Sequence, residues 1–123
     1  MQMRPHLMLG PKAGAEAVAH WQRAFPSLEA TPPTDKTLLW RLSLAGQDFT
    51  LFIAPDEAGF GPTPAWSFLI DVDSPEDVDA PLSVLSDGGQ FLMPPDAYEF
   101  AERFTWVEDR FGISWQLRFG PLT

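Results

Sequence analysis

Residues 86–117, SDGGQFLMPPDAYEFAERFTWVEDRFGISWQL, decide the fold. Ser86-Asp87-Gly88-Gly89 reads as a helix end, because glycine most readily takes left-handed backbone just past a last helical turn. Gln90 to Met93 is a short apolar strand, followed by a loop that Pro94-Pro95 opens and that runs to Ala101. Phe104 to Glu108 and Ile113 to Phe119 alternate with a period of two, which predicts strands joined by a turn at Asp109-Arg110-Phe111-Gly112.

Upstream, Ser74-Pro75-Glu76-Asp77 has the chemistry of a helix start: a capping hydroxyl, proline at the first helical position, and acids at the positive end. Val78, Leu82 and Leu85 form its apolar stripe. Pro81 inside it lacks an N–H and predicts a kink. Trp66 to Val72 precedes it as a strand. In the first half, Arg4 to Leu9 alternates beside Pro5, a short strand near an edge. Ala13 to Phe25 is a helix, with Ala17, Trp21, Ala24 and Phe25 at helical spacing and Pro26 stopping it. His20 is expected on its surface. Leu28 to Thr31 is a short strand ahead of Pro32-Pro33. Thr37 to Leu44 puts Leu38, Trp40, Leu42 and Leu44 on one face, with Leu39, Arg41 and Ser43 on the other. Ala45-Gly46-Gln47-Asp48 then turns into Phe49 to Ala54, with Phe49, Leu51 and Ile53 toward the core.

The order is β-α-β-β-β, a Gly- and Pro-rich linker, and β-α-β-β-β again. It predicts one domain over residues 1–123, with module one at 1–54, the linker at 55–65 and module two at 66–123; His6 and Ser67 hold matching places. The class is α+β, with helices against one face of mostly antiparallel sheet.

Composition narrows the function. Ten Phe and five Trp supply the apolar area a single core needs. Cysteine is absent, which removes disulfides, thiolate metal sites and a cysteine nucleophile. A net charge of −9 repels phosphate backbones and argues against nucleic acid. No apolar run reaches the roughly 20 residues of a membrane span, and the N-terminus has no continuous apolar signal segment. A cytoplasmic, non-membrane protein is the expectation. No glycine-rich phosphate loop, GxSxG elbow or HExxH helix occurs.

HWQRAFP, LAGQDFTLFIA, TPAWSFLIDVDSPEDVD, SDGGQFLMP and ERFTWVEDRFGISWQL occur in an order that resembles the PhnB-like family of the vicinal-oxygen-chelate superfamily, which includes glyoxalase I, bleomycin-resistance proteins and extradiol dioxygenases. Pro81 departs from the uninterrupted helix of relatives. The resemblance implies paired βαβββ modules whose curved mixed sheets enclose a cleft, and a homodimer that completes it. In metal-using relatives the ligands come from the first and last strands of each module. Here those positions fall on His6, the region Phe52-Ile53-Ala54, Ser67 where relatives carry His, and Gln116 where they carry Glu. His6 and Gln116 are two neutral donors, and a divalent site wants more donors and a compensating charge. The expectation is therefore no cofactor and no favoured metal site, with a divalent metal at His6 and Gln116 as the weaker alternative. Relatives are often labelled demethylubiquinone methyltransferases, a label that the lack of a dinucleotide-type loop leaves without support here.

Alternation places His6, Arg41, Ser43, Thr50, Ser67, Ser114, Gln116 and Arg118 opposite the apolar residues of their own strands. Met8, Phe52, Leu69 and Val107 are expected among them. Such a face either meets water or lines a ligand cleft, where a few polar anchors sit among large apolar groups. The candidate cleft is His6, Arg41, Ser43, Phe52, Ser67, Leu69, Tyr98, Gln116 and Arg118. Arg41 and Arg118 can grip an anionic group, and Tyr98 in its loop either donates to a ligand oxygen or packs as an aromatic. Glu99, Glu102 and Glu108 with Arg103 and Arg110 read as solvated ion pairs. Three functions stand: a small-molecule binding protein with a degenerate metal site, a metal-dependent lyase, isomerase or dioxygenase using His6, Gln116 and an acid such as Glu57, and an interaction module.

Overall fold

The structure is a computed structural model and describes residues 1–120. The chain forms two compact units, the first Met1–Gly61 and the second beginning at Pro62.

In the first unit the order is β1 (His6–Leu9), α1 (Gly14–Ala24), β2 (Glu29–Thr31), β3 (Trp40–Leu44) and β4 (Gln47–Ile53). The sheet order is β1-β4-β3-β2, with β1 parallel to β4 and the other pairs antiparallel. Ala45 and Gly46, both at positive φ, make the tight β3–β4 turn. The inward face of the sheet buries Leu9, Leu42, Phe49 and Leu51, and α1 buries Ala17, Val18, Trp21 and Ala24. Full burial of a Val, Leu or Phe side chain contributes about 1.5–3 kcal/mol, and that of alanine well under this. His20 is a correction: it is 1% exposed, and its Nδ1 accepts a hydrogen bond from the Arg23 guanidinium at 3.3 Å. Leu38 is another. It lies outside β3 at φ 58 and is 62% exposed, so the strand begins at Trp40, three residues later than the predicted start at Thr37.

The second unit repeats the plan as β5 (Phe68–Val72), α2 (Pro75–Asp79), α3 (Leu82–Leu85), β6 (Gln90–Tyr98), β7 (Ala101–Glu108) and β8 (Ser114–Phe119). Its sheet order, β5-β8-β7-β6 with β5 parallel to β8, is that of the first unit. Ser74 caps α2 by accepting the Asp77 N–H at 3.2 Å, and Pro81 splits the helical segment into two, as its missing N–H requires. α2 lies across β5, β7 and β8, over a face that buries Val107, Trp115 and Leu117. The expected Pro94–Ala101 loop is instead strand: β6 runs to Tyr98 with register shifts at Met93, Asp96 and Tyr98. β6 is an edge strand, where proline costs no ladder bond.

The decisive stretch is tied together at both ends. The Asp109 carboxylate is 3% exposed and accepts the N–H of Phe111 at 2.9 Å, that of Ile113 at 3.0 Å and the Trp115 indole N–H at 3.0 Å. Arg110 reaches back to the helix end, donating to the Asp87 carbonyl at 3.1 Å and its carboxylate at 2.7 Å. Gly88 has φ 77, and a Cβ on Gly89 would collide with the Glu108 carbonyl oxygen. The two glycines thus serve different needs. Arg103 pairs with Asp79 of α2 at 2.9 Å. The basic members of the expected charge run are therefore bound to the helical segment, not to the glutamates beside them.

Candidate functional site

In the first unit, register aligns His6, Thr50, Arg41 and Thr31 in one row across all four strands, with Asp48, Ser43 and Glu29 in the next. Met8 lies opposite Phe52. These residues share the face opposite Leu42, Phe49 and Leu51, because side chains alternate along a strand. A cavity of about 470 Å³ opens on this face, lined by Arg4, Arg41, Glu29, Asp48, Ser43 and Thr50 among others. Ligand pockets run from about 300 to 1,000 Å³. Arg41 is exposed and makes no ion pair with a described residue. His6 Nδ1 and Thr50 Oγ1 share a hydrogen bond of 2.7 Å.

In the second unit, Leu69, Gln116, Trp106 and Met93 form one row, and Asp71, Arg118, Phe104 and Asp96 another. Val107 is a correction. It pairs with Trp115 and is fully buried on the opposite face, and Trp106 takes the place beside Gln116. Both neighbours are apolar, so alternation alone does not say which one turns inward. Trp106 Nε1 donates to Ser114 Oγ at 2.7 Å, the Ser67 and Ser114 hydroxyls lie 2.5 Å apart, and Gln116 Nε2 donates to Ser67 Oγ at 3.2 Å. Arg118 is 4.0 Å from the Asp71 carboxylate and 5.9 Å above the Phe100 ring. Tyr98 stacks on Phe100, meets Phe104 edge-on, and donates its hydroxyl to the Pro94 carbonyl at 2.7 Å. Of the two roles open to Tyr98, the packed one describes it here.

The structure thus brings His6, Arg41, Ser43 and Phe52 onto one face of the first unit. Ser67, Leu69, Gln116 and Arg118 share one face of the second, with Tyr98 joined to them through Phe100. Arg4, Glu29 and Trp106 are site residues the sequence did not single out. The signal for Arg4 was its parity with His6; Glu29 depends on which strand β2 pairs with, which no local pattern encodes.

The two units carry the same register at the positions metal-using relatives employ. His6 meets a strand-β4 hydroxyl, Thr50, as Ser67 meets Ser114 of β8; two residues on, Phe52 answers to Gln116. Phenylalanine offers no lone pair, and the Ser67 oxygen already accepts from Gln116. Among the described residues no three His, Asp or Glu side chains converge. A tight divalent site wants several oxygen or nitrogen donors and negative charge; at these places the described residues supply one imidazole, one amide and hydroxyls. Glu57 lies beside Gly10 in the first unit.

Comparison with known proteins agrees with this architecture. A family model described as 3-demethylubiquinone-9 3-methyltransferase matches residues 5–118. The PhnB protein of Bacillus cereus, whose description carries the same methyltransferase name, superposes with a TM-score of 0.82 at 25% identity, covering 98% of this chain and 100% of that one. A glyoxalase-related enzyme from Fulvimarina pelagi gives 0.66 at 17% identity, over 98% and 90% of the two chains. A glyoxalase/bleomycin resistance protein from Albidiferax ferrireducens T118 gives 0.65 at 15%, over 98% and 100%. The latter two show the fold alone. No curated protein matches the sequence. No helix among the described residues is long and apolar enough to cross a membrane.

Proposed function

The chain belongs to the 3-demethylubiquinone-9 3-methyltransferase family, with the glyoxalase/bleomycin-resistance fold, and from that premise we propose that it is a small-molecule binding protein whose metal positions have passed to other side chains. The carrying observation is the 470 Å³ cavity on the polar face of the first sheet, where Arg41 is available to an anionic group. Guanidinium grips a carboxylate or phosphate through two parallel N–H bonds, and Thr31, Ser43 and Thr50 surround it with hydroxyls. Methyl transfer, named in the family's description, finds less support. Neither four-stranded sheet is the all-parallel, doubly wound kind in which a glycine-rich turn cradles a nucleotide-like cofactor. A homodimer and a cytoplasmic location belong to the same proposal, as the resemblance implies.

One observation favours the metal-dependent lyase, isomerase or dioxygenase reading. Thr50 holds His6 Nδ1, which is how a ligating imidazole is oriented from behind, and leaves Nε2 for an ion. Metal analysis of protein purified without chelator, with thermal unfolding in added Ni²⁺, Mn²⁺, Fe²⁺ or Zn²⁺, separates the two. Binding to the folded state must raise the melting temperature by mass action. Under the proposal, metal content stays well below one ion per chain and added metal barely moves the transition, whereas small organic anions raise it. Arg41→Ala should abolish the anion effect without altering stability. A stoichiometric ion that Gln116→Ala removes refutes the proposal.

A further inference from the structure

Ser67, Ser114, Gln116 and Trp106 form a closed set whose protons can be assigned. A hydroxyl has one proton and two lone pairs, and an indole N–H only donates. Ser114 Oγ accepts from Trp106 at 2.7 Å, and one hydroxyl must donate to the other across 2.5 Å. If Ser67 donated, the Ser114 proton would be left without an acceptor on a side chain that is buried. An unsatisfied buried donor costs about 1–3 kcal/mol. If Ser114 donates, its own needs are met, and Ser67 accepts from both Ser114 and Gln116. Both Ser67 lone pairs are then taken and its proton faces outward, where Ser67 is half-buried and a partner can reach it. Turning the Gln116 amide over has Ser67 donate to Oε1 and makes Nε2 the outward donor, so a donor faces outward in either orientation.

We infer that Ser67, with the second N–H of Gln116 beside it, is a donor fork for an oxygen of the ligand. This deepens the binding reading and rests on it. Two outward protons side by side suit a carbonyl or carboxylate oxygen, and Gln116 Oε1 is the one acceptor of the set left beside them. Arg118, on the same face one alternation along β8, favours the carboxylate although Asp71 offsets part of its charge. Leu69 and Trp106 flank Gln116 in register, and Leu69 is 48% exposed. The ligand class is therefore an organic carboxylate with an apolar body next to the acid.

Two-dimensional ¹H–¹⁵N spectra of the intact chain test this, because the Trp106 indole N–H bonds to the set and reports on it. The Trp115 indole, held by Asp109 on the opposite face, is an internal control for folding. Benzoate should shift the Trp106 indole and Gln116 amide signals saturably and leave Trp115 in place. Benzylammonium, of similar size and opposite charge, should not. Ser67→Ala should weaken benzoate by about tenfold or more, the worth of a hydrogen bond to a charged group, and Ser67→Thr, which keeps the hydroxyl, should restore most of it. Equal binding of benzylammonium, no Trp106 shift with benzoate, or unchanged affinity in Ser67→Ala overturns the inference while leaving a first-unit ligand site intact. Stoichiometric Zn²⁺ that shifts Trp106 and Gln116 overturns both the inference and the binding reading beneath it.

Discussion

Replacing Asp109 by alanine should be among the most damaging single changes in this chain, although no ligand role is assigned to it. The substitution removes three accepted hydrogen bonds at once. The Phe111 N–H is only half-buried and can turn to water. The Ile113 N–H and the Trp115 indole N–H cannot, since both residues are buried. Two stranded donors at about 1–3 kcal/mol each, less the desolvation a buried carboxylate no longer incurs, give a loss of about 3–5 kcal/mol. That is a large part of the 5–15 kcal/mol typical of a domain. Asp109→Asn keeps an acceptor for the two backbone donors but sets an amide N–H against the indole, so about 2 kcal/mol should go. Equilibrium urea denaturation reads both, and Trp115→Phe completes a cycle: with no indole N–H to satisfy, alanine at 109 should cost at least about 1 kcal/mol less. A loss under about 1 kcal/mol for Asp109→Ala, or strict additivity in the cycle, would refute the reasoning that this carboxylate organises the β7–β8 turn.

Trp115 and Gln116 should behave oppositely though adjacent: Trp115→Ala removes about 3–5 kcal/mol from a fully packed face, and Gln116→Ala about 1 kcal/mol or less. Urea midpoints of the two variants decide it, and a reversed order would mean the strand is one residue out of register. Gly89→Ala should cost about 2–3 kcal/mol or more, because its Cβ has no room against the Glu108 backbone. Gly46→Ala, strained in φ but in open space, should cost only about 1–2 kcal/mol. Equal losses in thermal unfolding would show that crowding at Gly89 is not what selects glycine there.

What the sequence made legible was whatever chemistry is local. Ser74, Pro75 and Pro81 act through groups within a few residues of themselves, and each does what its hydroxyl or missing N–H requires. The repeated strand plan was readable because alternation survives in β3, β4 and β8. Alternation failed where two neighbours are both apolar, as at Trp106 and Val107, since it then fixes a period without fixing a phase. His20 was misplaced because its polarity outweighed its spacing, three residues from Ala17 and four from Ala24, which is that of the buried stripe. Tyr98 was misplaced because a proline pair reads as a loop unless the strand is known to be an edge. The faces on which Ser67, Gln116 and Arg41 lie were readable from parity along the chain. The proton order of the serine pair and the company of Arg4 and Glu29 depend on contacts between strands, which parity does not report.

The parallel pairing of each unit's first strand with its last has a consequence for how the protein comes off the ribosome. His6 cannot find Thr50, nor Phe68 find Trp115, until every intervening residue has been made, and such long-range closures are slow relative to hairpins. The first unit can complete its sheet while the second is still being synthesised. In the second, the strand bearing Gln116 and Arg118 is the last of its sheet to emerge, so the hairpin that Asp109 holds must wait for it. Until then Phe68 and Leu69 lie on an unpaired edge, the kind of surface that nascent chains present to holding chaperones.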